Sequence, residues 1–126
     1  MTTANDIATA TRTTVRIPTA SGEEIEVWLY RPDGDGPHPA VVMAHGIGAI
    51  KAGGLAPFAE RFCREGFAAI VLDYRQWGGS SGQPREELSV PRQREDYSTV
   101  IGWAADDNVL RVEVEFLRRH ACPPAA

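Results

Sequence analysis

Two nearly uninterrupted apolar runs, separated by one amphipathic segment, constrain the fold of this chain more than any other feature. Residues 39–44 (PAVVMA) and 67–74 (FAAIVLDY) lack the polar alternation of a half-solvated strand, so each predicts a strand buried on both faces. Between them, apolar residues recur at helical spacing, with Pro57 in the first turn and Gly66 placed to end the helix. The pattern predicts two parallel strands joined by a right-handed helical crossover. The helical stripe consists of Leu55, Phe58, Ala59, Phe62 and Cys63.

The residues before this unit predict an antiparallel hairpin. Residues 13–17 and 24–30 alternate polar with apolar side chains, and residues 20–23 form a turn between them. Such alternation is typical of strands with one buried and one solvated face. After the unit, a polar, glycine-rich loop over residues 75–88 precedes a second predicted helix, which Ser89 can cap. The predicted buried stripe of that helix comprises Tyr97, Val100, Ile101 and Ala104.

Length and composition limit the classes of protein to which the chain can belong. It has 126 residues, of which 43% are hydrophobic, and this suits one globular domain. Its 13 basic and 17 acidic residues give a net charge of −4, so we expect no nucleic-acid partner. No apolar stretch approaches the length of a membrane span, so we expect a cytoplasmic protein without a membrane partner. Cys63 and Cys122 belong to no metal-binding motif, so we expect no disulfide, zinc site or cofactor.

The motif His45-Gly46-Ile47-Gly48 follows the first buried strand directly and leads towards the first helix. A backbone amide at such a strand-to-helix turn can point towards the negative charge that develops during acyl transfer. The motif therefore predicts a candidate oxyanion hole. Two simpler interpretations stay open, namely that the glycines only turn the chain and that the histidine has a structural role.

A second motif follows the second buried strand, where residues 72–75 (LDYR) lead to residues 78–82 (GGSSG). Together with the hairpin, the first motif and the amphipathic helix, this order resembles the N-terminal part of an α/β-hydrolase, in its dienelactone-hydrolase and serine peptidase or esterase branches. The resemblance covers about residues 13–108. It implies a partial α/β-hydrolase fold of three layers, in which an antiparallel hairpin leads into a parallel sheet with flanking helices.

The resemblance also implies roles for individual residues. In this family the amide after the His-Gly pair usually donates to the oxyanion, which implies that Ile47 donates while His45 and Gly46 shape the turn. The GGSSG motif fits the pattern G-x-S-x-G, but no strand runs directly into its first glycine and no helix follows at once, as a nucleophile elbow requires. We therefore predict that Ser80 is a decoy rather than a catalytic residue, and that Trp77 and Ser80 lie at the rim of the site.

The last part of the chain departs from this pattern. Residues 110–116 (LRVEVEF) alternate strictly, which would place three charges on one face of a strand that the family buries on both sides. No G-x-S-x-G follows, so we expect a truncated or frameshifted coding sequence after Asn108. The expected division is a disordered start (1–12), a partial hydrolase domain (13–108) and an atypical tail (109–126). The alternative is a genuine edge strand that its charges protect.

Together these expectations describe a serine hydrolase of ester or amide bonds in small-molecule substrates, without a convincing Ser-Asp-His triad and therefore inactive alone. The absence of a fifth strand would leave residues 40–44 as an open apolar edge, so we expect self-association. An alternative function is a noncatalytic binding or regulatory module that pairs through this edge. A metal hydrolase is a weaker alternative, because His38, His45 and His120 lack ligand spacing. Lys51, the single lysine, is expected to be a solvated loop cation.

Overall fold

The computed structural model describes residues 11–34, 37–46 and 48–106. Its strands are β1 (Thr11–Pro18), β2 (Glu24–Arg31), β3 (Ala40–Ala44) and β4 (Ala68–Leu72), and its helices are α1 (Ala56–Arg64) and α2 (Val90–Asp106). The strands form one mixed sheet in the order β1-β2-β4-β3. The predicted elements are therefore present in the predicted order.

Strands β1 and β2 form the predicted antiparallel hairpin, with Val15 opposite Val27. Strand β1 begins at Thr11, before the predicted start, because the pairing with β2 continues to the end of that strand. The predicted solvated face is only partly correct. Ile25, Val27 and Leu29 are buried on one face as the alternation requires, but Tyr30 on the other face is only 2% exposed. This second face is covered because Tyr30 packs in a cluster with residues of α1.

Strands β3 and β4 are parallel neighbours connected through α1, with Val42 opposite Ile70. The predicted parallel crossover is therefore confirmed. All five residues of β4 are buried, because β4 lies between β2 and β3. In β3 only Ala40 is buried, since β3 lies at the edge of the sheet formed by the described residues. The prediction of a strand buried on both faces is thus correct for β4 and wrong for β3.

The helices cover opposite faces of the sheet and complete three layers. Ala59 and Cys63 of α1 pack in one cluster with β4 residues, and Val100 of α2 packs in the other cluster. Only part of the predicted α1 stripe is buried, because Phe58 is 61% and Phe62 is 37% exposed. The described residues thus cover only the small side chains on this helix. Cys63 packs as a small apolar residue, while Cys122 lies outside the described residues.

Helix α2 begins as predicted, because the Arg92 amide donates to the Ser89 hydroxyl at 3.3 Å. Val100 and Ala104 are fully buried, and the Tyr97 hydroxyl donates to the Val42 carbonyl at 3.0 Å. Ile101 is exposed rather than buried, so the predicted stripe is narrower in the structure. Neither helix within the described ranges is long and apolar enough to cross a membrane.

Candidate active site

Two loops lie side by side at the edge of the sheet where the parallel strands end. We call residues 45–54, which follow β3, the HGIG loop, and residues 73–82, which follow β4, the GGSSG loop. The carboxyl ends of parallel strands are the usual location of binding sites in α/β sheets. The two motifs singled out in the sequence therefore meet at one candidate site.

The HGIG loop is held by hydrogen bonds within itself. Nε2 of His45 donates to the carbonyl of Gly53 at 2.7 Å, and the carbonyl partner requires that this nitrogen carry the proton. The amide of Gly53 donates to the carbonyl of Ile50 at 2.8 Å. His45 and Gly46 thus follow β3 directly, and their role in shaping the turn stays a prediction. Ile47 lies outside the described residues, and its amide as the oxyanion donor stays a prediction.

Lys51 belongs to the HGIG loop, but its side chain is buried, so the prediction of a solvated cation is wrong. Its side chain is only 4% exposed, and Nζ donates to Asp73 Oδ2 and to Glu26 Oε1 at 2.7 Å each. Its own amide donates to Asp73 Oδ1 at 2.7 Å. Nζ also lies 4.9 Å from the centre of the Trp28 ring. The two carboxylates compensate the cost of burying this charge.

The GGSSG loop wraps closely around the same carboxylates. The amide of Gly79 donates to Asp73 Oδ2 at 2.9 Å. Gly78 has a φ of +54°, and a Cβ at this position would lie 2.2 Å from Asp73 Oδ2. A Cβ on Gly79 would lie 2.0 Å from Glu26 Oε1. A side chain at either position would therefore displace one of the two carboxylates, and glycine permits the close approach of the loop backbone to both acids.

Ser80 lies inside this arrangement and is 2% exposed. Its hydroxyl donates to the carbonyl of Asp73 at 2.6 Å and accepts from the amide of Glu26 at 2.8 Å. A catalytic serine gives its proton to a base, whereas this proton is directed at a backbone carbonyl. A buried hydroxyl also does not suit a rim contact. Trp77 is half-buried, and its Nε1 donates to the carbonyl of Glu87 at 3.3 Å.

A second buried ion pair joins the GGSSG loop to α2, and sequence reasoning missed it. Asp96 is fully buried and accepts hydrogen bonds from the amide and from Nε of Arg75. Burial raises the pKa of Asp96 above its usual range, although the Arg75 hydrogen bonds oppose this change. The available signal was an acidic residue one turn before Val100, on the buried face of the helix.

The histidines are not brought together. Nε2 of His38 donates to the carbonyl of Gly34 at 3.3 Å, while His45 bonds within its own loop. His120 lies outside the described residues. Within the ranges that the structure describes, no group of three or more His, Cys, Asp or Glu residues is arranged to hold a metal ion.

Comparison with known proteins identifies the family of the chain. Residues 21–118 match the X-Pro dipeptidyl-peptidase (S15) family, beyond the expected limit at Asn108. The chain belongs to this family. It is 47% identical over 77 residues to the quorum-quenching protein AidA of Acinetobacter baumannii. The matched residues are 61% of this chain and 25% of that relative. It is also 37% identical over 87 residues to the thiohydrolase aneE of Aspergillus aculeatus. This match covers 69% of this chain and 27% of that relative.

Solved structures confirm the fold. The crystal structure of the α/β hydrolase GrgF from Penicillium sp. sh18 superposes with a TM-score of 0.75 at 26% identity, over 80% of this chain and 34% of that one. The α/β-hydrolase resemblance and the partial three-layer fold are therefore correct. The chain spans about a quarter to a third of the length of these relatives.

Proposed function

We propose that this chain provides half of the oxyanion hole of a serine hydrolase that cleaves ester, amide or related acyl bonds. The observation that carries the proposal is the position of the HGIG loop, directly after β3 and beside the GGSSG loop, in a member of the S15 family. The name of one relative, a thiohydrolase, agrees with acyl-bond hydrolysis. The substrate class of the whole protein is thus a small acyl compound.

In such a reaction a serine attacks the acyl carbon and a histidine accepts the serine proton. An acid orients that histidine, and two amides hold the oxyanion. We assign one of these amides to Ile47, with His45 and Gly46 shaping the turn and Trp77 at the rim. Ser80 is structural in this proposal, since its hydroxyl is buried and both its hydrogen bonds go to backbone groups.

We further propose that the nucleophile, the acid and the catalytic histidine are not among the described residues and, as a separate proposal, that the chain alone is inactive. The boundary after Asn108 between a partial hydrolase domain and an atypical tail belongs to this proposal. The tail lies outside the described residues. The cytoplasmic location stays a prediction of the sequence alone.

A second candidate function is a binding or regulatory module that pairs through β3. One observation favours it. Four of the five β3 residues are half-exposed, and the strand sequence AVVMA contains no charge or proline that would protect an edge. Such an edge can pair with a strand of another protein or with a second copy of this chain. A stoichiometric complex would support the module, whereas a fully monomeric chain would argue against it.

A fluorophosphonate probe tests the serine assignment. The purified chain and its Ser80→Ala variant are incubated with the probe, and covalent adducts are measured by intact mass spectrometry. We expect no adduct on either protein, and hydrolysis of p-nitrophenyl acetate at the rate of buffer alone. An adduct on the parent chain that disappears in Ser80→Ala would show that Ser80 is the nucleophile.

The coding DNA beyond Asn108 tests the hydrolase assignment. We expect one of the three reading frames to encode an apolar strand that runs directly into G-x-S-x-G. The protein extended in that frame should hydrolyse p-nitrophenyl acetate. The absence of such a strand in all frames would favour the binding module.

A further inference from the structure

The HGIG loop is anchored to the sheet through Lys51. We propose that Lys51 is a positioning residue, which fastens the loop to the sheet and so determines where the loop amides point. This proposal rests on the proposed function for its catalytic meaning, because the amides of interest are those of the candidate oxyanion hole. Lys51 itself touches no reacting atom.

The contact between Lys51 and Asp73 constrains the backbone as well as the side chain. The amide and Nζ of one residue bind the two oxygens of one carboxylate, at 2.7 Å each. Hydrogen bonds between ionised groups are shorter and stronger than those between neutral groups. A residue held at both its main chain and the end of its side chain cannot shift along the sheet edge. The loop that contains it is therefore fixed in register with the end of β4.

The partner carboxylate is itself held firmly. Asp73 is 2% exposed and also accepts from the Gly79 amide at 2.9 Å. The Ser80 hydroxyl bridges the Asp73 carbonyl and the Glu26 amide and so joins the end of β4 to β2. Lys51 thus binds to a rigid base built from two strands and the GGSSG loop.

Stability alone does not explain a buried lysine at this position. Replacing a buried ion pair by apolar residues of similar volume is often neutral or stabilising, so the contribution proposed for this pair is to specify a single geometry. Here the geometry specified is that of a loop that holds two glycines, Gly46 and Gly48, next to its candidate catalytic amide. Glycines permit many backbone conformations, so such a loop needs an external anchor to keep one.

Arg16 provides a matched control. Its Nη1 donates to the other oxygen of Glu26, Oε2, at 3.0 Å and to the carbonyl of Gly79, also at 3.0 Å. Arg16 therefore belongs to the same network as Lys51 and shares a carboxylate with it. Among the described residues, its side-chain hydrogen bonds reach β2 and the GGSSG loop but not the HGIG loop.

The first test is amide hydrogen exchange of the full chain and of the variants Lys51→Met and Arg16→Met. We expect Lys51→Met to accelerate exchange in peptides that cover residues 45–54 by at least about 10-fold relative to peptides from the β1–β2 hairpin. Arg16→Met should change the exchange rate of residues 45–54, relative to that of the hairpin peptides, by less than about 2-fold. An unchanged ratio in Lys51→Met, or an equal increase in both variants, would overturn the proposal.

A second test needs no variant, because Lys51 is the single lysine of the chain. The chain is treated with an acetylating N-hydroxysuccinimide ester, both folded and in urea, and acetylation of the peptide that contains Lys51 is followed by mass spectrometry. We expect acetylation in the folded chain to be at least about 100-fold slower than in urea, because the amine must first leave both carboxylates. Equal rates would overturn the proposal even if Lys51→Met fails to fold.

The outcomes separate this proposal from the proposed function. Fluorophosphonate labelling of Ser80 with a protected Lys51 would contradict the proposed function and leave the anchor in place. In an extended protein that hydrolyses p-nitrophenyl acetate, Lys51→Met should lower kcat with KM little changed, while Arg16→Met should change neither. An equal loss of kcat in both variants would reduce Lys51 to a structural residue.

Discussion

Strands β3 and β4 have similar sequences but different environments. Both are five residues of alanine and larger apolar side chains, and they pair in parallel with Val42 opposite Ile70. Every residue of β4 is buried, whereas four of the five β3 residues are half-exposed. The difference arises because β4 has a strand on each side, while β3 has one neighbour among the described residues. An apolar sequence therefore indicates that a strand can be buried, and the number of neighbouring strands decides how much of it is buried.

The largest predicted effect is the loss of stability when a valine of β4 is replaced by alanine, compared with the same substitution in β3. Val71→Ala removes two methyl groups from a site that is 0% exposed and should lower the free energy of unfolding by about 2 kcal/mol. Val42→Ala, in the half-buried edge strand, should cost about 1 kcal/mol or less. Urea denaturation followed by tryptophan fluorescence measures both. Equal losses would mean that β3 is covered as completely as β4.

A charge on the edge strand tests whether the exposure of β3 leads to self-association. Val41→Lys places an ammonium on the edge, and a charge of this kind opposes strand pairing between molecules. Sedimentation velocity over a range of concentrations should show that the parent chain associates. The variant should need a protein concentration about 10-fold higher to associate to the same extent. The control is Glu60→Gln, which changes the net charge by the same +1 on α1, away from the strand. A parent chain that is monomeric throughout would contradict self-association.

Two tyrosines sharpen the comparison, because one is attached to β3 and the other packs beside β4. The Tyr97 hydroxyl donates to the Val42 carbonyl, so Tyr97→Phe should cost about 1 kcal/mol of stability. The buried Tyr30 hydroxyl has no hydrogen-bond partner among the described residues. Tyr30→Phe should therefore be neutral within about 0.5 kcal/mol, or stabilising. The reverse order in thermal or urea unfolding would show that these hydroxyls have other partners.

The smallest effect concerns Cys63, which packs against β4 residues in the α1 cluster. Burial raises the pKa of this thiol above its ordinary value of about 9. As the pH rises above 9, the Cys63 thiol loses its proton at a lower pH in the unfolded chain than in the folded chain. The free energy of unfolding therefore falls as the pH rises, and the contribution of this thiol at lower pH is lost. Between pH 9 and 10, Cys63→Ala should lose stability less steeply than the parent chain. Identical slopes in urea titrations would show that this thiol does not contribute.

Periodicity predicted the elements well because it reflects local geometry. Alternation identified the β1–β2 hairpin, and helical spacing with Pro57 and Gly66 identified α1. The two motifs lie at the same end of the sheet in the structure, since parallel strands carry their following loops to one side. Three residues of the predicted helical stripes, Phe58, Phe62 and Ile101, are exposed instead, and Tyr30 is buried on the strand face predicted to be solvated.

The candidate site was predicted less completely, because its chemistry depends on contacts between residues distant in the chain. Nothing local shows that Lys51 is buried, since its partners lie on β2 and at the end of β4. The pattern around Ser80 fits a catalytic motif, and only the context of strand and loop argued against this role. The structure adds that its hydroxyl joins two strands.

The sequence by itself determined the type and order of the strands and helices, the family, and the motifs that flank the candidate site. These depend on side-chain periodicity, turn residues and short spacings, all of which are local. Tertiary structure alone decided that β4 is fully buried and β3 only partly, that Lys51 is in a buried ion pair rather than solvated, and that Gly78 and Gly79 lie against two carboxylates. Burial and ion pairing depend on which distant segments meet, and that is settled only when the sheet assembles.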